Sequence, residues 1–279
     1  MRLAQVVRKF KALDLEKLTL RAHLISVSKL VFLALIICLQ HLDALGQSYQ
    51  ESGEEEGTPV LWQEFFSSET TLTRRYQAQA WQRLIVDGEV NVTLVSGNQP
   101  ALEVRGNRAL LSQINVLSFN NVLFIKLNTS LLGPRERGRL TIHLTAPELK
   151  EVEVLNGVRF QGNLNGRESQ RWLVRSESQV NLDANVPALD IEVTWGSRVQ
   201  LRGTVEHLIL KTRNSVSVDL RQLRIHELNI KTEGRAMMWV NELQHVYGIL
   251  GYNSILNVPK QMLEQNFPEL KVLGKIQSF

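Results

Sequence analysis

The chain has 279 residues, 43% of them apolar and 22% charged, enough to bury a sizeable core in one large domain or two small ones. Its 32 Lys and Arg outnumber its 28 Asp and Glu and set a pI near 9.3, yet seven of those cations and only three of the acids lie in residues 1–46. Residues 47–279 therefore carry 25 of each and are formally neutral, which excludes a nucleic-acid binder, since that class needs a basic footprint on the folded body.

At the start of the chain, Lys29 precedes an unbroken apolar run of ten residues from Leu30 to Leu39. A membrane-spanning helix needs about 20 such residues; the shorter run fits the apolar segment of a secretory signal behind a long basic leader. Ala44 and Gly46 supply small residues at the −3 and −1 positions, which predicts a signal peptide over 1–46 cleaved after Gly46. An uncleaved anchor is the alternative, and in both cases the bulk of the chain is exported, to the periplasm, the cell surface or the medium. The single cysteine, Cys38, lies inside the run behind the bulky Ile37, which argues against lipidation. The mature chain would then hold no thiol, and disulfides, thiolate catalysis and Cys-ligated metal are excluded.

Residues 47–60, with Glu54, Glu55 and Glu56 between Gly53 and Gly57, read as an acidic flexible linker. Residues 61–279 read as one domain, led in by Trp62, Phe65 and Phe66. Leu84–Val86, an Asp87-Gly88 turn and Val90–Val95 predict a hairpin, because Asp-Gly supplies the positive φ of tight turns. Strand-length segments follow at 102–104, 114–116, 122–127 and 140–144, with Asn120-Asn121 as one of the turns between them. The polar loop Gly133–Gly138 lacks the spacing of a phosphate cradle. Asn91 and Asn128 head glycosylation sequons that carry meaning only in a eukaryotic secretory pathway.

After Pro147 the pattern repeats about every 19–20 residues. Inward-type positions recur as Val152, Val154, Val158 and Phe160, then Val174, Val180 and Leu182, then Ile191, Val193, Val199 and Leu201. They continue as Leu208, Leu210, Val216, Val218 and Leu220, then Leu228, Ile230, Met238 and Val240, and close with Val246, Leu250, Leu256 and Val258. A strand-built period of this length predicts an all-β fold, a parallel β-helix or β-solenoid with an opening strand and hairpin region. Asn156-Gly157, Gly196-Ser197, Asn214-Ser215, Gly234 and Asn253-Ser254 recur between the strand pairs as structural turns, being residues that tolerate left-handed backbone. Trp195, Trp239 and Tyr252 are expected near the same bends. The strands before residue 145 and the tail after Lys260 are expected to cap the coil, because solenoids must hide their terminal edges.

Three stretches resemble the head GIN domain family of auto-transporter adhesins: Trp81–Gly97, Leu140–Leu149 ending in Pro-x-Leu, and the Gly/Asn-Ser turns followed by Val-x-Leu. The resemblance covers residues 76–279. It implies an exported bacterial β-helix of unknown function and brings no catalytic residues.

For chemistry, His207, His226 and His245 stand at spacings of 19 and 19, the rung period. Imidazoles stacked on one corner could chelate a transition metal. Against that, His226 precedes its apolar partner by two residues and the others by one, and no acidic ladder accompanies them. They read as a solvent-facing ladder and only as weak metal candidates. The rung aspartates Asp183, Asp190 and Asp219 form no Asp-x-Asp pair, and no nucleophile motif occurs. The expectation is no enzyme, no cofactor and no small-molecule substrate. Arg159, Arg175, Arg198, Arg202, Arg213, Arg221, Arg224 and Arg235 could form a stripe for anionic glycans, but are read as stems covering outer faces and pairing with neighbouring acids. The function expected is an exported interaction module that recognises glycan or envelope protein. A self-assembling coil is the alternative, and polysaccharide cleavage ranks third.

Overall fold

Backbone hydrogen bonds link almost every strand to an equivalent strand one winding away, in the computed structural model, which describes residues 71–77, 80–128, 139–147, 149–264 and 267–279. The signal segment, the acidic linker, Trp62, Phe65, Phe66 and the loop 133–138 lie outside the described residues. The chain forms a β-solenoid of about six turns.

The opening strands are β1 (Leu72–Tyr76), β2 (Arg83–Asp87), β3 (Asn91–Ser96) and β4 (Ala101–Gly106), followed by the short helix α1 (Arg108–Ser112). Then come β5 (Ile114–Phe119), β6 (Val122–Leu127), β7 (Thr141–Ala146), β8 (Glu151–Leu155), β9 (Arg159–Asn165) and β10 (Gln170–Val174). Four long strands make whole windings: β11 (Gln179–Thr194), β12 (Arg198–Arg213), β13 (Val216–Glu233) and β14 (Ala236–Leu250). The chain ends with β15 (Ile255–Val258), helix α2 (Lys260–Leu263), β16 (Leu270–Val272) and β17 (Lys275–Ser278).

Two parallel ladders result. The first runs β7, β3, β9, the leading halves of β11 to β14, then β15 and β17. The second runs β6, β2, β8, β10, the trailing halves of β11 to β14, then β16. Alternation along each strand sends every second side chain inward, so register makes columns. Val92, Phe160, Val180, Val199, Val218, Met238 and Leu256 form one column, each no more than 3% exposed. Leu84, Val152, Trp172, Ile191, Leu210 and Ile230 form its counterpart on the second ladder, all fully buried. Phe160 and Trp172 meet edge to face across the core at 5.1 Å and 87°. Every inward position expected from the repeat is buried.

Three expectations need correction. Asp87-Gly88 is no hairpin turn: β2 and β3 do not pair with each other but join separate ladders, and Gly88 (φ +112°) is a coil corner. Asp-Gly chemistry serves either role, and only the neighbours of the following strand decide between them. The hairpin of this region is β5–β6, antiparallel about Asn120-Asn121, whose φ angles are +48° and +62°. Second, the windings begin at Arg83 and not after Pro147, since β2 and β3 lie in register against β8 and β9. The capping role before residue 145 falls to β1, β4 and β5, whose pairing is antiparallel. Third, the tail extends the coil as well as closing it: β16 and β17 continue both ladders in parallel, with Met262 and Leu270 buried.

The columns carry the stability. Replacing Leu210 by Ala removes inward methyl groups flanked by Ile191 and Ile230, and is expected to cost about 2–5 kcal/mol in denaturant unfolding. The exposed Glu206, on the same winding, is expected to tolerate Ala within about 0.5 kcal/mol.

Candidate functional site

Where each winding passes from the second ladder to the first, the chain must turn within two residues. The bends stack as a column: Gly88-Glu89, Asn156-Gly157, Ser176-Glu177, Trp195-Gly196, Asn214-Ser215, Gly234-Arg235 and Tyr252-Asn253, each ending one or two residues before the first ladder resumes pairing. Four of these pairs hold both residues left-handed: Asn156 (+60°) with Gly157 (+82°), Ser176 (+55°) with Glu177 (+62°), Trp195 (+54°) with Gly196 (+73°), and Asn214 (+57°) with Ser215 (+56°). Gly234 (+81°) and Asn253 (+61°) hold one left-handed residue each. Glycine and asparagine bear that geometry cheaply; other side chains do so at a cost.

Beneath the bends sits a buried column that includes Ser178, Ser197 and Ser254. Their hydroxyls donate to the carbonyls of Arg175 (2.7 Å), Thr194 (2.7 Å) and Gly234 (3.1 Å), which satisfies acceptors that the sharp turn would otherwise leave bare. The Ser176-Glu177 bend escaped the sequence reading because it holds neither Gly nor Asn. Its signal was Ser178-Gln179-Val180, which matches Ser197-Arg198-Val199 one winding on.

Trp195 is the outlier of the column. A large aromatic in left-handed backbone is strained, and the residue is 62% exposed. Tyr252, 69% exposed, occupies the equivalent place nearer the C-terminal end. Trp239 does not belong with them: it sits in the first ladder opposite Asp219 and Asn257, half-buried. Along the bends runs an open groove of about 1230 Å³, lined by Lys126, Asn156, Arg159, Glu177, Trp195 and Arg235 among others. At one end Asp87 accepts a hydrogen bond from Asn156 Nδ2 at 2.6 Å and lies 3.8 Å from Lys126.

The histidines lie at the opposite corner, and register separates them. A bulge in β13 adds a residue between Asp219 and Gln222 relative to β12, so His207 faces Glu227 and not His226. The next winding is shorter by two, and Glu227 faces His245. A uniform spacing of 19 and 19 is thus laid over local steps of 20 and 18, placing His207 and His245 two windings apart with a carboxylate between. His207 Nδ1 lies 2.9 Å from Glu227 Oε2, and His226 meets His245 edge to face at 5.8 Å. Among the described residues no three His, Cys, Asp or Glu side chains gather into a metal-binding set.

The aspartates also separate. Asp190 pairs with Lys211 at 3.0 Å on the second ladder, Asp219 pairs with Arg221 at 2.7 Å on the first, and Asp183 faces Arg202. Arg213 and Arg224 meet Glu233 and Glu242, each at 3.1 Å. The arginine stripe is therefore only partly neutralised by neighbouring acids.

Arg221 grips Asp219 with two guanidinium nitrogens and its backbone N–H, which pins the bulge of β13. That guanidinium holds the Asp219 carboxyl below its usual value. A depressed folded-state pKa contributes stability above the ordinary carboxylate pKa and loses it as pH falls through the folded value. Asp219→Asn is expected to lower the melting temperature by a constant amount above about pH 5 and by a shrinking amount below about pH 4. Thermal melts of both proteins across that range check this.

Comparison with known proteins gives a consistent picture. Residues 80–253 match the family described as "Putative auto-transporter adhesin, head GIN domain". No curated protein matches the chain. Among solved structures, a "putative adhesin" from Bacteroides fragilis is 16% identical at TM-score 0.61, covering 76% of this chain and 98% of its own. A "putative lipid binding protein" from Parabacteroides distasonis is 11% identical at TM-score 0.50, covering 75% of this chain and 94% of its own. At these identities the likeness is one of fold.

Proposed function

We propose that this chain, which belongs to the auto-transporter adhesin head GIN domain family, is an exported, non-enzymatic interaction module that binds a glycan or an envelope protein along its stacked bends. The observation that carries the reading is Trp195. Every other residue at its place in the column is Gly, Asn, Ser or Tyr, and of these only Tyr252 is also large; its backbone is not left-handed. Holding a bulky ring in left-handed backbone costs about 1–3 kcal/mol, and such strain concentrates where a protein works. The ring meets water instead of the core, beside a groove of polar and charged side chains, so an amphipathic partner with a flat apolar face and many hydroxyls suits it. The lining is too polar for an acyl chain, which sets the reading apart from the lipid-binding name carried by one structural neighbour. Repetition of shallow contacts along the coil supplies avidity that a single bend lacks.

Self-assembly has a specific observation in its favour: the edge strand β5 exposes Leu117 and Phe119, and the last winding exposes Val272, Leu273 and Phe279. Concentration-dependent sedimentation of the full chain, abolished by Phe119→Lys, would favour it over adhesion.

Asn is well suited to the backbone at position 195, as Asn156 and Asn214 occupy the same column. Trp195→Asn is expected to leave the melting temperature unchanged or raised. It is expected to abolish most retention of the protein on an array of bacterial glycans and envelope proteins. Retention equal to the parent protein, or no retention by the parent protein at all, would remove the basis of this reading.

A further inference from the structure

Several cations on the second ladder are matched to acids one winding away. Arg83 bonds Glu153 and lies 3.4 Å from Glu151, Lys211 lies 3.0 Å from Asp190, and Arg213 lies 3.1 Å from Glu233. The bend side of the first ladder holds three arginines with no such partner. Arg159, Arg198 and Arg235 are all exposed, and none of their side chains has an ion pair or hydrogen bond among the described residues.

Their placement is periodic. Arg159 faces Gln179, which faces Arg198, so the two arginines stand two windings apart in one column. Arg235 lies two windings beyond Arg198, displaced by two residues toward the bend, since Ser217 is the residue facing both Arg198 and Met237. Two windings of a parallel stack span about 10 Å. Between the cations the track carries neutral Gln179 and Ser217, and one uncommitted acid, Glu177, which shares the Gln179 winding. Trp195 opens the winding of Arg198, with its ring in solvent.

We propose that this track binds a linear acidic polysaccharide whose anionic groups recur on alternate sugar units, gripped by Arg159, Arg198 and Arg235 and stacked on Trp195. The inference rests on the bend groove being the binding face and adds the chemistry of the ligand. A guanidinium presents a planar fork that bonds a carboxylate or sulfate through two N–H groups at once. A unit without an acid falls between the arginines, where Gln179 can donate or accept and Glu177 can accept from hydroxyls. The apolar face of a pyranose ring lies flat on an indole, and the same strained Trp195 supplies that platform. An acidic ligand would also give these three arginines the ionic partners that Arg83, Lys211 and Arg213 find in acids one winding away.

The test uses the full chain and immobilised hyaluronate, which alternates a uronate with a neutral sugar, beside dextran, polyglutamate and phosphatidylglycerol vesicles. Expected is binding to hyaluronate that weakens steeply with added salt. Arg159→Gln, Arg198→Gln and Arg235→Gln should each weaken it about tenfold. Arg198→Lys should restore part of the loss, and Lys211→Gln on the second ladder should change nothing. Melting temperatures of the three Arg→Gln variants and of Arg198→Lys should match the parent, because Arg159, Arg198 and Arg235 are exposed. Dextran bound as well as hyaluronate, with sensitivity to Trp195→Asn but not to the arginine variants, would overturn this inference and leave the binding face standing. Polyglutamate or vesicles bound as well as hyaluronate would overturn the saccharide assignment. Binding of hyaluronate unaffected by Trp195→Asn and by every arginine variant would overturn both.

Discussion

Stacking in register is the constraint from which the rest of this molecule follows. Each winding places a short row of apolar side chains under the next, and the backbone of each winding donates to and accepts from its neighbours along both ladders. Neither contribution stands alone: a single winding has no core of its own and would leave its backbone polar groups unpaired. Because hydrogen bonding fixes the distance between windings, the inward columns accept only residues of matching volume, and Val, Leu and Ile fill nearly all of them. Phe160 and Trp172 are the aromatic exceptions, a local enlargement balanced across the two ladders.

The same constraint determines where function can reside. Inward positions are committed to packing, and part of the outward face of the second ladder is taken up by charge pairs between windings. The bends are freer. Their backbone must be left-handed in most windings, but their side chains project from the coil and face one another only along the stack. A residue that violates the cheap choices at such a place, as Trp195 does, indicates that something other than folding favours it. Around it lie arginines without acids, and the bend column aligns these features into one linear track. A partner that is itself linear and repetitive is the natural match for a surface of this kind.

The sequence repeat exposed the windings because packing is periodic: one inward column imposes one apolar pattern. Gly and Asn marked most bends for an equally local reason, the steric cost of positive φ in other residues. Ser176-Glu177 carried no such mark, since its left-handed geometry is imposed by the windings on either side. Asp87-Gly88 carried the mark but not its meaning, because a tight turn reads the same whether the next strand folds back on the last one or moves to another ladder. The beginning of the coil was misplaced for that reason. The opening strands β2 and β3 lie within the stack although the strands that follow them in the chain, β4 to β7, fall elsewhere.

The histidines mark the boundary between what was legible and what was not. By itself the sequence determined the class of fold, the inward residues, most of the corners and the absence of any thiol beyond Cys38, since each depends on local pattern or composition alone. Only the tertiary structure decided which side chains are neighbours across windings. The bulge held by Asp219 and Arg221 lengthens one step to 20 and the next winding shortens to 18, so an even spacing of 19 in the chain becomes His207 facing Glu227 instead of His226. It also decided which arginines find acids and which do not. Sequence distance counts residues, whereas contact between windings counts register, and a single inserted residue separates the two.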